Sequence, residues 1–208
     1  MLDITQGIKE LKMVSQIHIV AVNNEVKELL WLLQKDNNKA IEIKTINIDK
    51  QESQKFNYRL KDSCTPKFSL PEKYLYVPNA AIMKSGAFNL VSERYSINKL
   101  HQNSHLYTST NLKEFPGRRF LIKRVYNFNK KELKELKTIK KANISTRNFP
   151  ESVANLRKKL KINENKPNTI KNFEIKIRFV DSIFLIKIEQ KMRLRVFIFK
   201  FQLMLLFL

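Results

Sequence analysis

Three short clusters of basic side chains stand out in the third quarter of the chain. Arg118, Arg119, Lys123 and Arg124 run through "RRFLIKRVYNF". Lys140, Lys141 and Arg147 follow in "KKANISTRNF", and Arg157, Lys158 and Lys159 close "NLRKKL". Tyr107, Tyr126, Phe128 and Phe149 interleave with them. Cations that neutralise phosphates, beside flat rings that stack on unpaired bases, make up the chemistry of RNA recognition. Each ring has a competing use in core packing, and for any single ring that use is the commoner one. The turn "RNFPES" leads from a strand into a helix, so helix N-terminal N–H groups lie near Arg147, where they suit a phosphate.

The charge is placed, not only abundant. The 208 residues carry a formal net charge of +21. Residues 1–50 hold seven basic and seven acidic side chains, whereas residues 118–161 hold fifteen basic and three acidic. A balance of that kind usually meets a polyanion. The competing reading is a solvated face in a chain rich in Ile, Lys and Asn.

Other chemistries fare worse. A nucleotide or S-adenosylmethionine pocket in an α/β protein needs a Gly-rich turn after a strand. The three glycines, Gly7, Gly86 and Gly117, are far apart, so no cofactor is expected in this chain. His101 and His105 in "HQNSH" share the i, i+4 spacing of a metal pair, but matching ligands are wanting and no metal site is expected. His18, in an apolar run, reads as a hydrogen-bonded core residue. Cys64 is the single cysteine, which excludes an internal disulfide and fits a reducing, cytoplasmic setting. "LDITQGIKEL" after Met1 has no apolar core of a signal peptide. "RVFIFKFQLMLLFL" (195–208) is shorter than the about 20 residues a membrane span needs. A terminal strand or a non-native tail is expected there, and a membrane anchor is disfavoured.

These residues need elements to hold them. "DITQGIKELK" reads as a helix and "IHIVAV" (17–22) as a strand covered on both faces. In "NEVKELLWLLQ", Val26, Leu29, Leu30 and Leu33 fall at i, i+3, i+4 and i+7, which predicts a helix capped by Asn23 or Asn24. "IEIKTINID" alternates as a strand, and residues 50–70 read as a linker or loop. "KYLYV" (73–77) is a strand, and "PNAAIMKSG" a helix capped by Asn79 and stopped by Gly86. "AFNLVSERY" continues helically, and "SHLYTS" is a strand. "RRFLIKRVYNF" (118–128) is a longer strand with Phe120, Ile122 and Arg124 on one face. "KKELKELK" reads as a helix opened by Asn129 and Glu132, and "KKANIST" as a strand. Pro150 suits the first position of the next helix, with Val153, Leu156 and Leu160 as its core stripe. Strand–helix–strand–helix from 118 to 161 then makes a compact α/β unit.

The stretches "KYLYVPNAAIMKSGAFNLVSERYSINKLHQNSHLYTS", "FPGRRFLIKRV" and "KKANISTRNFPESVANLRKKLKI", with "MLDITQGIKELKMVSQIHIVAVNNEVKELLWLL", carry a resemblance. Residues 1 to about 165 resemble the C-terminal part of a bacterial class I SAM-dependent methyltransferase family that ends in a ferredoxin-like element and a THUMP-like domain. The resemblance implies an α/β and α+β fold: the C-terminal edge of a Rossmann-like methyltransferase sheet, then a ferredoxin-like element, then a THUMP-like α/β domain. It implies these divisions: 1–49 methyltransferase remnant, 50–69 linker, 70–110 ferredoxin-like, 111–165 THUMP-like, 166–208 divergent tail. With the neighbours of "IHIVAV" expected upstream, 1–49 reads as marginal.

The expected function is the RNA-binding portion of a SAM-dependent RNA methyltransferase, inactive alone because the SAM-binding and catalytic motifs are expected upstream. S-adenosylmethionine would be the cofactor of the full-length family, structured RNA the partner, and an upstream methyltransferase fragment acting in trans a second partner. The alternative is a truncated or frameshifted remnant without independent activity.

Overall fold

The computed structural model describes residues 3–36, 39–50, 52–127, 130, 131, 134, 143–147, 152–163, 183–189 and 195–200. The chain divides into two units. The first is Met1–Lys67, Val77–Ile97 and Glu114–Arg118, and the second is Phe68–Tyr76, Asn98–Lys113 and Arg119–Leu208. The fold is mixed α/β.

The first unit opens with helix α1, Ile4–Glu10, whose N-cap Asp3 accepts from Thr5 N and Gln6 N. Strand β1, Val14–Val22, then turns back through Asn23 and Asn24 into strand β2, Glu25–Leu33. The expected helix over 25–33 is therefore a strand, and two physical causes explain the difference. Both asparagines have positive φ, 51° and 63°, the backbone of a two-residue hairpin turn that Asn tolerates well. Val20 pairs with Glu28 and Ala21 with Val26, so Lys27 is an extra residue on β2. That bulge puts Val26, Leu29 and Trp31 opposite Ala21, Ile19 and Ile17. The bulge accounts for the three-residue step from Val26 to Leu29, and Leu30, on the other face, completed the apparent helical stripe because this strand is apolar on both faces.

Strand β3, Glu42–Ile48, pairs parallel with β1, and strand β4, Ser53–Arg59, pairs antiparallel with β3. The sheet order is β2-β1-β3-β4. "IHIVAV" thus has a strand on each side, which corrects the expectation that its neighbours lie outside this chain. The reading of 50–70 as linker or loop is also corrected over 53–59. In "SQKFNYR" the two aromatics Phe56 and Tyr58 alternate inward and are buried, while the other side chains stay polar. Ile17, Ile19 and Ile43 are fully buried. Each contributes about 1.5–3 kcal/mol of apolar burial.

Helix α2, Ala80–Ser85, lies against β1, β2 and β3 with Ala81 and Ile82 fully buried. Asn79 caps it by accepting from Ile82 N, and Gly86 ends it in the left-handed region at φ 76°. Helix α3, Phe88–Arg94, follows as a separate helix after this stop. His18 Nε2 is 2.9 Å from Gln16 Oε1, so that histidine is hydrogen-bonded as expected, though only half-buried.

Among the described residues the second sheet has seven strands. They are β5 (Tyr74–Pro78), β6 (Asn98–Lys99), β7 (Tyr107–Ser109), β8 (Gly117–Asn127), β9 (Asn143–Arg147), β10 (Ile183–Glu189) and β11 (Arg195–Lys200). Their order is β6-β7-β5-β8-β10-β11-β9. Helix α4, Val153–Leu160, packs on β9. The stretch 118–161 does not close on itself as expected. Strands β10 and β11, from the segment read as a divergent tail, pair with β8 and β9 and lie between them. Residues 195–200 are thus a strand, and no helix among the described residues is long and apolar enough to cross a membrane. Most of the expected "KKELKELK" helix and the first residues of the expected "KKANIST" strand lie outside the described residues.

Candidate nucleic-acid interface

Strand β8 carries four of the ten candidate cations. Its ladder with β10 pairs Arg124 with Lys187 and Ile122 with Ile188, so Lys123 is an extra residue and the face shared by Phe120 and Ile122 does not carry on to Arg124 as expected. Phe120 is 1% and Tyr126 3% exposed, so both rings turn into the protein. Arg124 is half-buried, with its guanidinium 5.5 Å from the centroid of the Tyr126 ring. Such a contact screens the cation from solvent and is worth about 0.5–2 kcal/mol. Arg118 is also half-buried and falls in the first unit. Arg119 and Lys123 are both exposed. Four residues of strand separate them by about 13 Å.

Helix α4 holds the third cluster. Ser152 is its N-cap, accepting from Asn155 N, so the helix starts after Pro150 and Glu151 and the expectation of Pro150 at its first position is corrected. Leu156 and Leu160 are buried, and Val153 is half-buried. Lys161 closes the helix at φ 56°. Arg157 is half-buried and its Nη1 donates to Ile162 O at 3.5 Å, so it satisfies a carbonyl beyond the helix end. Lys158 and Lys159 are exposed. All three suit the negative end of the helix dipole.

Strand β9 is separated from β8 by β10 and β11, a distance of about 14 Å across three strand spacings. The backbone of Arg147 lies at the last position of β9, opposite Phe199 of β11. Lys140 and Lys141, with Phe128 and Phe149, lie outside the described residues. Among the interleaved rings, Tyr107 is fully buried and Tyr126 nearly so. Core packing has claimed both, and neither presents a face to a base. What the second unit exposes here is charge: Arg119, Lys123, Lys158 and Lys159. Sequence reasoning left Lys130, Lys131 and Lys134 out of the candidate set, although all three are exposed. Their placement in the same basic segment was the available signal.

These positions coincide with the matches to known proteins. Residues 74–116 match a family described as a ferredoxin-like domain, and residues 117–172 match one described as THUMP domain-like. The whole of β8, β9 and α4 falls in the second match. A solved structure described as "Crystal structure of putative methyltransferase from Porphyromonas gingivalis W83" superposes with a TM-score of 0.75 at 30% identity. That similarity covers 97% of this chain and 49% of the other. It extends past residue 165, where the sequence resemblance ends, into the segment read as divergent. The chain spans about half the length of the protein it matches. No curated protein matches.

Proposed function

We propose that this chain is the RNA-binding portion of a SAM-dependent RNA methyltransferase. One observation carries the reading: Arg119 and Lys123 stand exposed on β8, inside the segment that matches a THUMP-like domain. The methyltransferase half of the reading draws on the Porphyromonas gingivalis protein. With Tyr107 and Tyr126 buried, recognition runs through phosphates and through RNA shape, which suits a structured RNA better than splayed bases. The same role is proposed for Lys140, Lys141 and Arg147, which belong to the same basic segment of the sequence.

The chain's own residues do not fit S-adenosylmethionine. Gly7 lies within α1, Gly86 ends α2 and Gly117 opens β8. None sits at a strand-to-helix turn where backbone could approach a cofactor. On this reading the methyl donor binds outside this chain, and calorimetry of the purified chain with S-adenosylmethionine is expected to give no micromolar binding.

Fluorescence anisotropy with a structured RNA tests the function. Reversing Lys140, Lys141 and Arg147 to glutamate should weaken binding far more than reversing Lys9, Lys12 and Lys27. Equal losses would mean that only net charge acts.

A further inference from the structure

Among the described rings of the second unit, most pack in its core. Tyr76 and Tyr107 are fully buried, Phe120 and Tyr126 nearly so, and Tyr74 is half-buried. Phe68 differs, at 53% exposed. Its backbone is nevertheless fixed. Phe68 bridges Lys99 of β6 in parallel, and Ser69 N donates to Lys99 O at 3.1 Å. Further on, Glu72 N donates to Thr108 Oγ1 at 2.8 Å, and the Glu72 carboxylate accepts from Ser69 Oγ and Asn98 Nδ2.

Pairing across the sheet carries Phe68 onto the face that holds Arg119. Phe68 is opposite Lys99, Lys99 opposite Tyr107, and Tyr107 opposite Tyr76. Between β5 and β8, Asn79 N donates to Pro116 O and Ile122 N to Lys73 O, two bonds of one antiparallel register. That register sets Arg119 opposite Tyr76, ahead of the extra residue at Lys123. Residues directly opposite each other share a face. Four strand spacings put Phe68 and Arg119 about 19 Å apart. Two loops cover the buried side chains between them: Lys113 N donates to Tyr76 Oη at 2.9 Å, and Lys99 Nζ donates to Gln102 O at 3.0 Å. The loops, 100–106 and 109–113, contain no acidic residue and expose the amides of Gln102, Asn103 and Asn111.

We infer that Phe68 stacks on an unpaired nucleobase of the structured RNA whose phosphates meet Arg119 and Lys123. The inference rests on the RNA reading above and extends it from backbone charge to a base. A single exposed ring needs no ligand of its own. The face it shares with Arg119, and the acid-free loops between them, are what favour RNA. A ring on a fixed backbone binds with little loss of conformational freedom. Every base has a π-face, so the site takes an unpaired base whatever its identity. A folded RNA supplies such bases in its loops, bulges and ends.

The test compares a blunt RNA duplex with the same duplex carrying a single-stranded overhang, by fluorescence anisotropy. The overhang should raise affinity about tenfold. An abasic site, walked along the overhang, should remove that gain at one position, since it deletes a base and keeps its phosphate. Phe68→Ala should lose the gain and bind the blunt duplex as the parent does, whereas Phe68→Tyr should keep it. Stacking releases no counterion, so the salt slope of Phe68→Ala should match that of the parent. Three results would overturn the inference: an overhang that adds nothing, no abasic position that matters, or a Phe68→Ala variant that weakens both RNAs alike. A blunt duplex that does not bind at all would sink the RNA reading, and this inference with it. The abasic series uses the unmodified chain, so it stands even where a variant fails to fold.

Discussion

Gly117 lies directly against the backbone of Val77. A Cβ at residue 117 would come 2.2 Å from Val77 O, and 2.9 Å from both Asn79 N and Pro78 Cα. All three are main-chain atoms, so no side chain can swing away to make room. Asn79 N also donates to Pro116 O at 3.1 Å, which fixes the same approach. Gly117→Ala is expected to destabilise the first unit by about 1–3 kcal/mol through overpacking. Urea unfolding would check this, and a variant as stable as the parent would show that the backbone can yield.

The hairpin turn gives a second test. Left-handed backbone costs an ordinary residue about 1–2 kcal/mol. Asn24 also accepts from Ala80 N through its side chain at 2.8 Å, and its own N–H donates to Asn47 Oδ1 at 2.9 Å. Asn23→Gly is expected to hold or raise stability, whereas Asn24→Gly should lower it by about 1 kcal/mol through the lost side-chain bond. Equal midpoints for the two glycine variants in thermal unfolding would count against the Asn24–Ala80 bond.

How legible this fold was can be argued from the same residues. Asn79 and Gly86 marked α2 because both ends of a helix have side-chain and backbone requirements that few residues meet. β8 was legible as a strand from its β-branched and aromatic residues, but not the extra residue at Lys123 that breaks its alternation. β2 was not, since one extra residue at Lys27 turned a period of two into a false helical period. β4 was hidden because its inward positions are two aromatics set among polar neighbours. The pairing of β10 and β11 between β8 and β9 depends on partners distant in sequence, which local patterns cannot supply. For the candidate site, residue types were legible but faces were not. Arg119 and Arg124 look equivalent in the sequence, yet one is exposed and the other lies beside the buried Tyr126.

Burial raises the Tyr58 hydroxyl pKa above its ordinary value of 10.0, and the bond it donates to Ser85 O at 2.6 Å opposes this only in part. Burial also raises Tyr95, with the nearby Arg94 opposing. In the unfolded chain both groups lose their protons near pH 10, while the folded chain retains them to higher pH. The unfolded state then binds fewer protons, so stability falls as pH climbs above 10 and is fully present below it. Tyr58→Phe should lower stability at pH 7 by about 1 kcal/mol through the unmet Ser85 carbonyl. It should also flatten the alkaline decline. Denaturant midpoints measured from pH 7 to 11 would check both effects, and an unchanged alkaline slope would remove Tyr58 as its source.

The cations of β8 make the sharpest prediction for RNA. Arg119 and Lys123 are exposed, and Arg124 is half-buried against Tyr126. A cation that meets a phosphate releases a counterion, so each such contact steepens the dependence of affinity on salt by about one unit of logarithmic slope. Replacing both Arg119 and Lys123 with glutamine is expected to lower that slope by about two, with affinity at low salt down about tenfold or more. Arg124→Gln removes the same charge but should change the slope little and lower stability instead, because its guanidinium packs on a buried ring. Glutamine keeps length and hydrogen bonding, so charge is the variable. Salt titrations of RNA anisotropy, run beside thermal unfolding of each variant, separate the two roles. A loss of slope shared equally by Arg119→Gln and Arg124→Gln would mean that net charge, not the exposed cations of β8, sets the affinity.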